Sequence, residues 1–381
     1  MNTTNLLHSV ATAFFLVSCG GGSSPIPTSA PPIPIAIAGG SLHSIILKSD
    51  GTVWTMGDNT YGQLGDGTLT TRITPNKVVG LSGIIAVEAG HVHSIALKAD
   101  GTVWGWGHNS YGQLGDGGLI LRTTPVQING LSGITAFAAG ETHTIALKND
   151  GTVWTLGDNT YGQLGDGTLT NRTYPIQVTG LMGVKAIGVG ALHSIALKSD
   201  GSVWTWGGNS HGQLGNGSLI STSVPIHVSG VTGITAIASA PGSRHSIALK
   251  DDGNVFTWGS NFYGELGDGT TTAKLLPIQI NGLVGIASIS AGDVHNIALK
   301  NNGTIWSWGY NSEGQLGDFT FMDKSTPVQV SVTGISKISA GGYHNLALSG
   351  TTVWVWGRNQ QGQLGDGTVV NRNIPYRLNG I

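Results

Sequence analysis

The sequence predicts an all-β chain folded into one seven-bladed β-propeller with four-stranded blades, and three observations predict it. A unit of about 50 residues repeats seven times over residues 35–381. Its histidine recurs as His43, His93, His143, His193, His245, His295 and His344, at spacings of 50, 50, 50, 52, 50 and 49 residues. A Gly-Gln-Leu-Gly turn keeps step, beginning at Gly62, Gly112, Gly162, Gly212, Gly264, Gly314 and Gly362, with Glu265 replacing glutamine in the fifth copy. Each unit also holds four short apolar or β-branched runs separated by turn residues. A period this long means a propeller, a solenoid or an array, and four strands in each of seven units select radial closure.

The third unit shows the elements in order. Ile134–Ala139 is an apolar run ending at Gly140, and His143–Lys148 alternates as a second strand. Asn149-Asp150-Gly151 is a hairpin turn, because Asp-Gly tolerates positive φ. Residues 152–156 form a third strand rich in β-branched and aromatic side chains. Residues 176–178 form the fourth, with Pro175 in front of it blunting an outer edge. Two closures are open. Residues 376–378 could complete the blade begun at Ala36, or each blade could be continuous and closure could rest on packing.

Composition narrows the function classes. Glycine reaches 62 residues and only 10% of residues are charged, which fits many tight turns joining short strands. Eleven tryptophans supply a core. Lys and Arg total 18 against 20 acids, with no basic run, so a nucleic-acid partner is not expected. A cofactor or a metal is not expected either.

The N-terminus differs from the rest. Residues 10–17 are apolar and too short to span a bilayer, as a secretory h-region is. Leu16-Val17-Ser18-Cys19 resembles a bacterial lipobox, with the chain's one cysteine where the cut and the lipid would fall. Residues 1–18 are therefore expected to be a lipoprotein-type signal peptide and residues 19–34 a Gly/Ser/Pro tether. Residues 1–9 depart from the pattern in lacking Lys and Arg, and the alternatives are an ordinary secretory signal or a disordered leader with a chance cysteine. The expected location is the bacterial envelope, with membrane attachment through lipid on Cys19, or secretion. A monomer is expected.

Residues 89–117, AGHVHSIALKADGTVWGWGHNSYGQLGDG, resemble the repeat of the RCC1 (regulator of chromosome condensation) family. The resemblance runs through all seven units and implies the same seven-bladed propeller. It also implies guanine-nucleotide exchange on a small GTPase as an activity to weigh. Exchange factors of that family carry an extra hairpin wedge, whereas the largest insertion here is two residues, around Ala240-Pro241-Gly242. Residues 242–246 resemble a motif of the plant ultraviolet-receptor branch, but Ser243 stands where that branch has tryptophan, which argues against light sensing.

A residue present in every blade builds the blade, since an active site needs a residue once. The seven histidines are therefore expected to be structural, their rings bonded to backbone groups between strands. Trp54, Trp104, Trp154, Trp204, Trp306 and Trp354, with Phe256, are expected to pack between blades. Asp66, Asp116, Asp166, Asp268, Asp318 and Asp366 precede Arg72, Arg122, Arg172, Lys274, Lys324 and Arg372 by six residues and are expected to brace loops.

Recognition is expected where the units differ. His91, Glu141, Arg244, Asp293 and Tyr343 lie just before the repeated histidine, and Tyr310 and Arg358 just before the repeated asparagine. Loops on a rigid scaffold are where binding residues sit, and Tyr and Arg dominate hot spots. With no catalytic constellation outside the repeat pattern, the expected function is protein binding without catalysis, the partner being an unidentified protein. Nucleotide exchange is the alternative. A propeller hydrolase or lyase with a channel-mouth site, using Asp58, Asp158, Glu141 and Asp293, is a further one.

Overall fold

The computed structural model describes residues 31–381 as seven four-stranded antiparallel sheets, each built from consecutive strands. The segment expected to be a signal peptide, Cys19 and most of the expected tether lie outside the described residues. The first blade runs β1 (Pro34–Gly39), β2 (His43–Lys48), β3 (Val53–Gly57), β4 (Arg72–Lys77), side by side in that order. The first strands of the blades line an axial channel, and the fourth strands form the half-exposed rim.

Burial explains the strand sequences. Every residue from His43 to Leu47 in β2 is buried, because each blade is covered on both faces by its neighbours. Such a strand needs no polar face, and it reads as a nearly continuous apolar run. The fourth strand is longer than the sequence suggests. In the third unit it is Arg172–Gln177 rather than 176–178, and it contains Pro175. An outer strand pairs on one side only, and its ladder is already interrupted between Thr155 and Gly157, so the missing N–H costs little. The third strand is Val153–Gly157, one residue later than expected.

The structure takes the continuous register at the ends of the array. Tyr376 pairs with Val355 and Arg377 with Trp354, all within the last blade. Contacts between complete blades close the ring. Lys337 Nζ donates to the Ile35 carbonyl at 2.7 Å, and the Gly39 N–H donates to Ser339 Oγ at 3.0 Å. Ile46 and Met56 pack with Leu346, Val355 and Leu364 in one apolar cluster.

The repeated histidines latch each blade to the next. His43 Nε2 lies 2.9 Å from Ser94 Oγ, whose proton is donated to the Gln63 carbonyl at 2.8 Å. Ser94 Oγ therefore accepts, and His43 carries its proton on Nε2. The same contact recurs from His93 to Thr144 (3.1 Å), His143 to Ser194 (3.2 Å), His193 to Ser246 (3.0 Å), His245 to Asn296 (2.9 Å), His295 to Asn345 (2.9 Å) and His344 to Ser44 (2.7 Å). The partner is thus a side chain of the next blade, not the backbone the sequence suggested. Burial pushes His43 down to about 4 and His93 to about 3, so the rings are neutral. A Cβ on Gly40 would collide with the His43 ring, which accounts for the glycine three residues before the histidine.

Two positions on the third strand of each blade divide the packing, and tryptophan fills both in the second, fourth, sixth and seventh blades. Trp104 is half-buried against a cluster drawn from the first two blades, with Lys98 Nζ 5.4 Å from its ring centre. The deeper anchor is the second one. Trp106, Trp206, Trp258, Trp308 and Trp356 are fully buried, and Trp106 Nε1–H donates to the Gln63 carbonyl of the preceding blade at 2.8 Å. Gly65 has φ +67, and its Cβ would lie 2.8 Å from the Trp106 ring. The second glycine of Gly-Gln-Leu-Gly thus lets the turn lie flat on the neighbouring indole.

Candidate interaction face

Antiparallel order puts two loops of every blade at one end of the propeller: the loop between the first and second strands, and the long loop between the third and fourth. The hairpin turns and the links between blades lie at the other end. All seven recognition candidates fall on the first end. The chain enters at the second, where Ile33 and Ser49 exchange hydrogen bonds of 2.8 and 3.1 Å.

The long loop is braced from within. Asn59, fully buried, accepts the Leu64 N–H at 3.0 Å and donates to Asp66 Oδ1 at 3.2 Å and the Thr68 carbonyl at 3.0 Å. Arg72 pairs with Asp66 at 2.7 Å, and the equivalent pairs recur in every blade but the fourth, where Asn216 and Thr222 stand instead. Burial opposes the Asp66 charge, yet hydrogen bonds from Thr68 and Arg72 hold its carboxyl below the usual range.

The variable residue before the asparagine has an internal role that the sequence reading missed. Gln63 Nε2 donates to Asp58 Oδ2 at 2.7 Å, and Gln163 Nε2 to Asp158 Oδ2 at 2.9 Å. Gln113 meets His108 Nδ1 at 2.8 Å. In the fifth blade both partners change together: Glu265 accepts from the Ser260 hydroxyl at 2.7 Å and the Tyr263 N–H at 2.8 Å. Glutamine needs an acceptor and glutamate a donor, so the joint change in the fifth unit was a legible signal. In the fourth, sixth and seventh blades that position is Gly208, Tyr310 and Arg358, and the Nε2 atoms of Gln213, Gln315 and Gln363 are buried without a partner. Tyr310 and Arg358 have left the brace and turned to the face.

They join an aromatic row. Tyr263 and Tyr310 ring centres lie 4.8 Å apart, Tyr310 and Tyr343 6.0 Å apart, and the Arg358 guanidinium sits 5.8 Å from the Tyr343 ring centre. Phe262, next to Tyr263, is exposed and lies edge-on to His211 at 5.9 Å. Around the rim of the same end, apolar side chains stand in solvent, including Leu119, Ile120 at 71%, Leu219 and Ile220 at 76% exposure.

At the channel mouth, Ser41 bridges two other candidates. Its Oγ lies 2.7 Å from His91 Nδ1 and 3.4 Å from Asp293 Oδ2. Asp293, 7% exposed, also accepts the Gly242 N–H at 2.9 Å, and a Cβ on either Gly242 or Gly342 would run into its carboxylate. Burial pushes the Asp293 carboxyl up, with His91 opposing. Glu141, half-buried, is also raised by burial, with His91 opposing and Asp293 adding to the rise. Arg244 is exposed and its charge reaches both Glu141 and His211. Of the four acids that a channel-mouth chemistry would use, Asp58 and Asp158 are held by glutamine amides, while Glu141 and Asp293 share the mouth. Among the described residues no three His, Cys, Asp or Glu side chains are grouped to hold a metal ion.

Fold and face together define a closed propeller of histidine-latched blades carrying an aromatic, asymmetric loop face. The chain belongs to the RCC1-like domain family, whose model matches residues 22–236 and 186–381. Its fold is that of human WBSCR16, with a TM-score of 0.77 over 86% of this chain and 93% of that one at 22% identity. Prp20p of Saccharomyces cerevisiae, studied for its binding to Gsp1p and histones, superposes with a TM-score of 0.71 at 26% identity, over 81% and 80% of the two chains. Among curated proteins, the human E3 ubiquitin-protein ligase HERC2 is 49% identical over 49 residues, 13% of this chain and 1% of that protein. The zebrafish serine/threonine-protein kinase Nek8 is 40% identical over 52 residues, 14% of this chain and 8% of that protein. The chain thus matches only a small fraction of either curated relative.

Proposed function

We propose that the protein is a bacterial envelope propeller, attached through lipid on Cys19, whose loop face binds another protein without chemistry of its own. The observation that carries this reading is the release of Tyr310 and Arg358 from the loop brace. Three blades leave a buried glutamine amide unpartnered, and in the two that carry a side chain at the partner position, Tyr310 and Arg358 line up with Tyr263 and Tyr343 on the face. Unpaired buried groups cost stability, so a gain at the surface is the physical reason to keep them. Exposed aromatics and an arginine are the side chains that anchor protein interfaces. The entry of the chain at the opposite end supports the orientation, because a tether from Cys19 would leave the loop face pointing away from the lipid.

The test is a photo-crosslinking side chain placed at Tyr310, and as a control at Asp100 on the opposite end, in the native host with palmitate labelling. A discrete adduct from position 310 alone, together with label lost in Cys19→Ala, is the expected result. Equal adducts from both positions, or none, would sink the binding face. Absence of label would sink the anchor.

Nucleotide exchange on a small GTPase is the second reading, favoured by the similarity to Prp20p. Against it stands the strand inventory, since all 28 described strands belong to blades and none forms an added hairpin. Release of a fluorescent guanine nucleotide from a small GTPase, accelerated by the purified protein, would bring this reading forward.

A further inference from the structure

The sixth blade departs from the others at the tip of its long loop. Phe319 has φ +69, and among the described residues no other side chain but glycine has a positive φ. The same position is Gly67, Gly117, Gly167, Gly217, Gly269 and Gly367 in the other blades, all with φ between +79 and +83. The turn imposes that conformation, because the N–H there donates to the next blade. Gly67 donates to the Thr123 carbonyl at 2.9 Å and Phe319 to the Asn373 carbonyl at 3.0 Å. A Cβ in this region is strained against its own backbone, so glycine is the stable choice.

The phenyl gains no burial in return. Phe319 is 66% exposed, and Phe321 and Met322 beside it are exposed as well. The loop is nonetheless held in place. Asn373 Nδ2 donates to the Phe319 carbonyl at 2.9 Å, and Asn311 Nδ2 to the Thr320 and Met322 carbonyls at 3.2 and 3.1 Å. Asp323 accepts the Asn311 N–H at 2.7 Å. Asn311 follows Tyr310, so the tip is fastened beside the tyrosine that left the brace. Two departures that cost stability, the unpartnered Gln315 amide and the left-handed Phe319, meet in this one blade.

Charge complementarity selects the occupant. The loop from Tyr310 to Lys324 carries Glu313, Asp318 and Asp323 against Lys324 alone, and Lys324 pairs with Asp318 at 3.7 Å. Glu313 accepts from the Asn371 amide and Asp323 from a backbone N–H, and among the described residues neither has a cationic partner. We propose that this tip anchors the loop face to a cationic amphipathic segment of the partner protein. Its apolar side chains would seat on Phe319, Phe321 and Met322, and its Lys or Arg beside Glu313 and Asp323. Large exposed apolar side chains on a rigid loop suit an interface hot spot, and opposite charge around them steers the partner. The same acids repel an anionic lipid surface and a second copy of this tip.

Binding of a fluorescent synthetic Leu/Lys amphipathic peptide to the full chain, read by anisotropy, tests the anchor, with a Leu/Glu peptide of the same pattern as control. The Leu/Lys peptide is expected to bind with a Kd of about micromolar order, and the Leu/Glu peptide about tenfold or more weakly. Phe319→Gly restores the residue of the other six blades. It should raise Tm by about 1–2 °C while weakening the Leu/Lys peptide about tenfold, a split that a structural phenyl would not give. Met322→Thr, which matches Thr70 of the first blade, should weaken it as well. No binding, equal binding of the two peptides, or an unchanged Kd in both variants would overturn the proposal. So would binding to phosphatidylglycerol vesicles that Phe319→Gly abolishes, since the tip would then serve a membrane. The proposal rests on the loop-face reading, yet the two fail separately. A crosslink from position 310 that survives Phe319→Gly, without peptide binding, rejects the anchor and keeps the face.

Discussion

His344 Nε2 lies 2.7 Å from Ser44 Oγ, and this pair, 300 residues apart in sequence, ties the last blade to the first. The Ser44 hydroxyl donates in turn to the Gln363 carbonyl at 2.8 Å, so one serine of the first blade is gripped from two sides by the last. With no strand shared between the chain ends, the ring is closed by the same latch that joins its interior blades.

Ser44→Ala strands a buried imidazole N–H and removes one hydrogen bond from a carbonyl, which should cost about 1–3 kcal/mol. Urea unfolding measures this, with Ser194→Ala as the interior comparison. Hydrogen exchange should quicken in β1 and in His344–Ser349 only for the Ser44 variant, because of these two latches only that of Ser44 joins the first and last blades. Equal exchange in both variants would mean that closure rests on the apolar cluster instead.

Acid should unfold the protein through its latches. Burial lowers His43, His143 and His295 to about 4, and His93, His193 and His344 to about 3. The unfolded chain binds these protons first, near the ordinary value of about 6.5, so stability is full above that pH and is lost as pH falls towards the folded values. Near-ultraviolet circular dichroism across that window should show a cooperative loss of the tryptophan signal. A signal flat down to about pH 3 would contradict the neutral latch.

Ser260 and Glu265 should behave as a matched pair. Ser260→Asp sets two carboxylates against each other in a buried loop and should lose several kcal/mol, on the order of 3 or more. Adding Glu265→Gln recreates the Asp58–Gln63 arrangement of the first blade and should restore most of the loss. A double-mutant cycle by chemical denaturation reads the coupling, and additive losses would refute the pairing.

Arg358→Asp should separate stability from binding. The new carboxylate gives Gln363 Nε2 an acceptor, as Asp58 does for Gln63, and should stabilise the blade by about 1 kcal/mol. The same change removes the cation beside Tyr343, so crosslinking from position 310 should weaken. Lower stability together with unchanged crosslinking would place Arg358 in the scaffold rather than at the interface.

The sequence by itself determined the number of blades, the strands of each and the structural character of the repeated histidines. Those follow from the period, from Asp-Gly turns and from short β-branched runs, all of which act within a few residues. The pairing of Glu265 with Ser260 was also within reach, since both changes fall in one unit, five residues apart. Only the tertiary structure decided the rest. It set the closure register, gave each histidine a side-chain partner in the next blade around the ring, and turned Tyr310 and Arg358 out to the face. It also held Phe319 in a left-handed conformation by tying its N–H to the Asn373 carbonyl. These neighbours come from different blades, and their separations exist only once seven sheets have closed around an axis, a condition that no local pattern in the chain expresses.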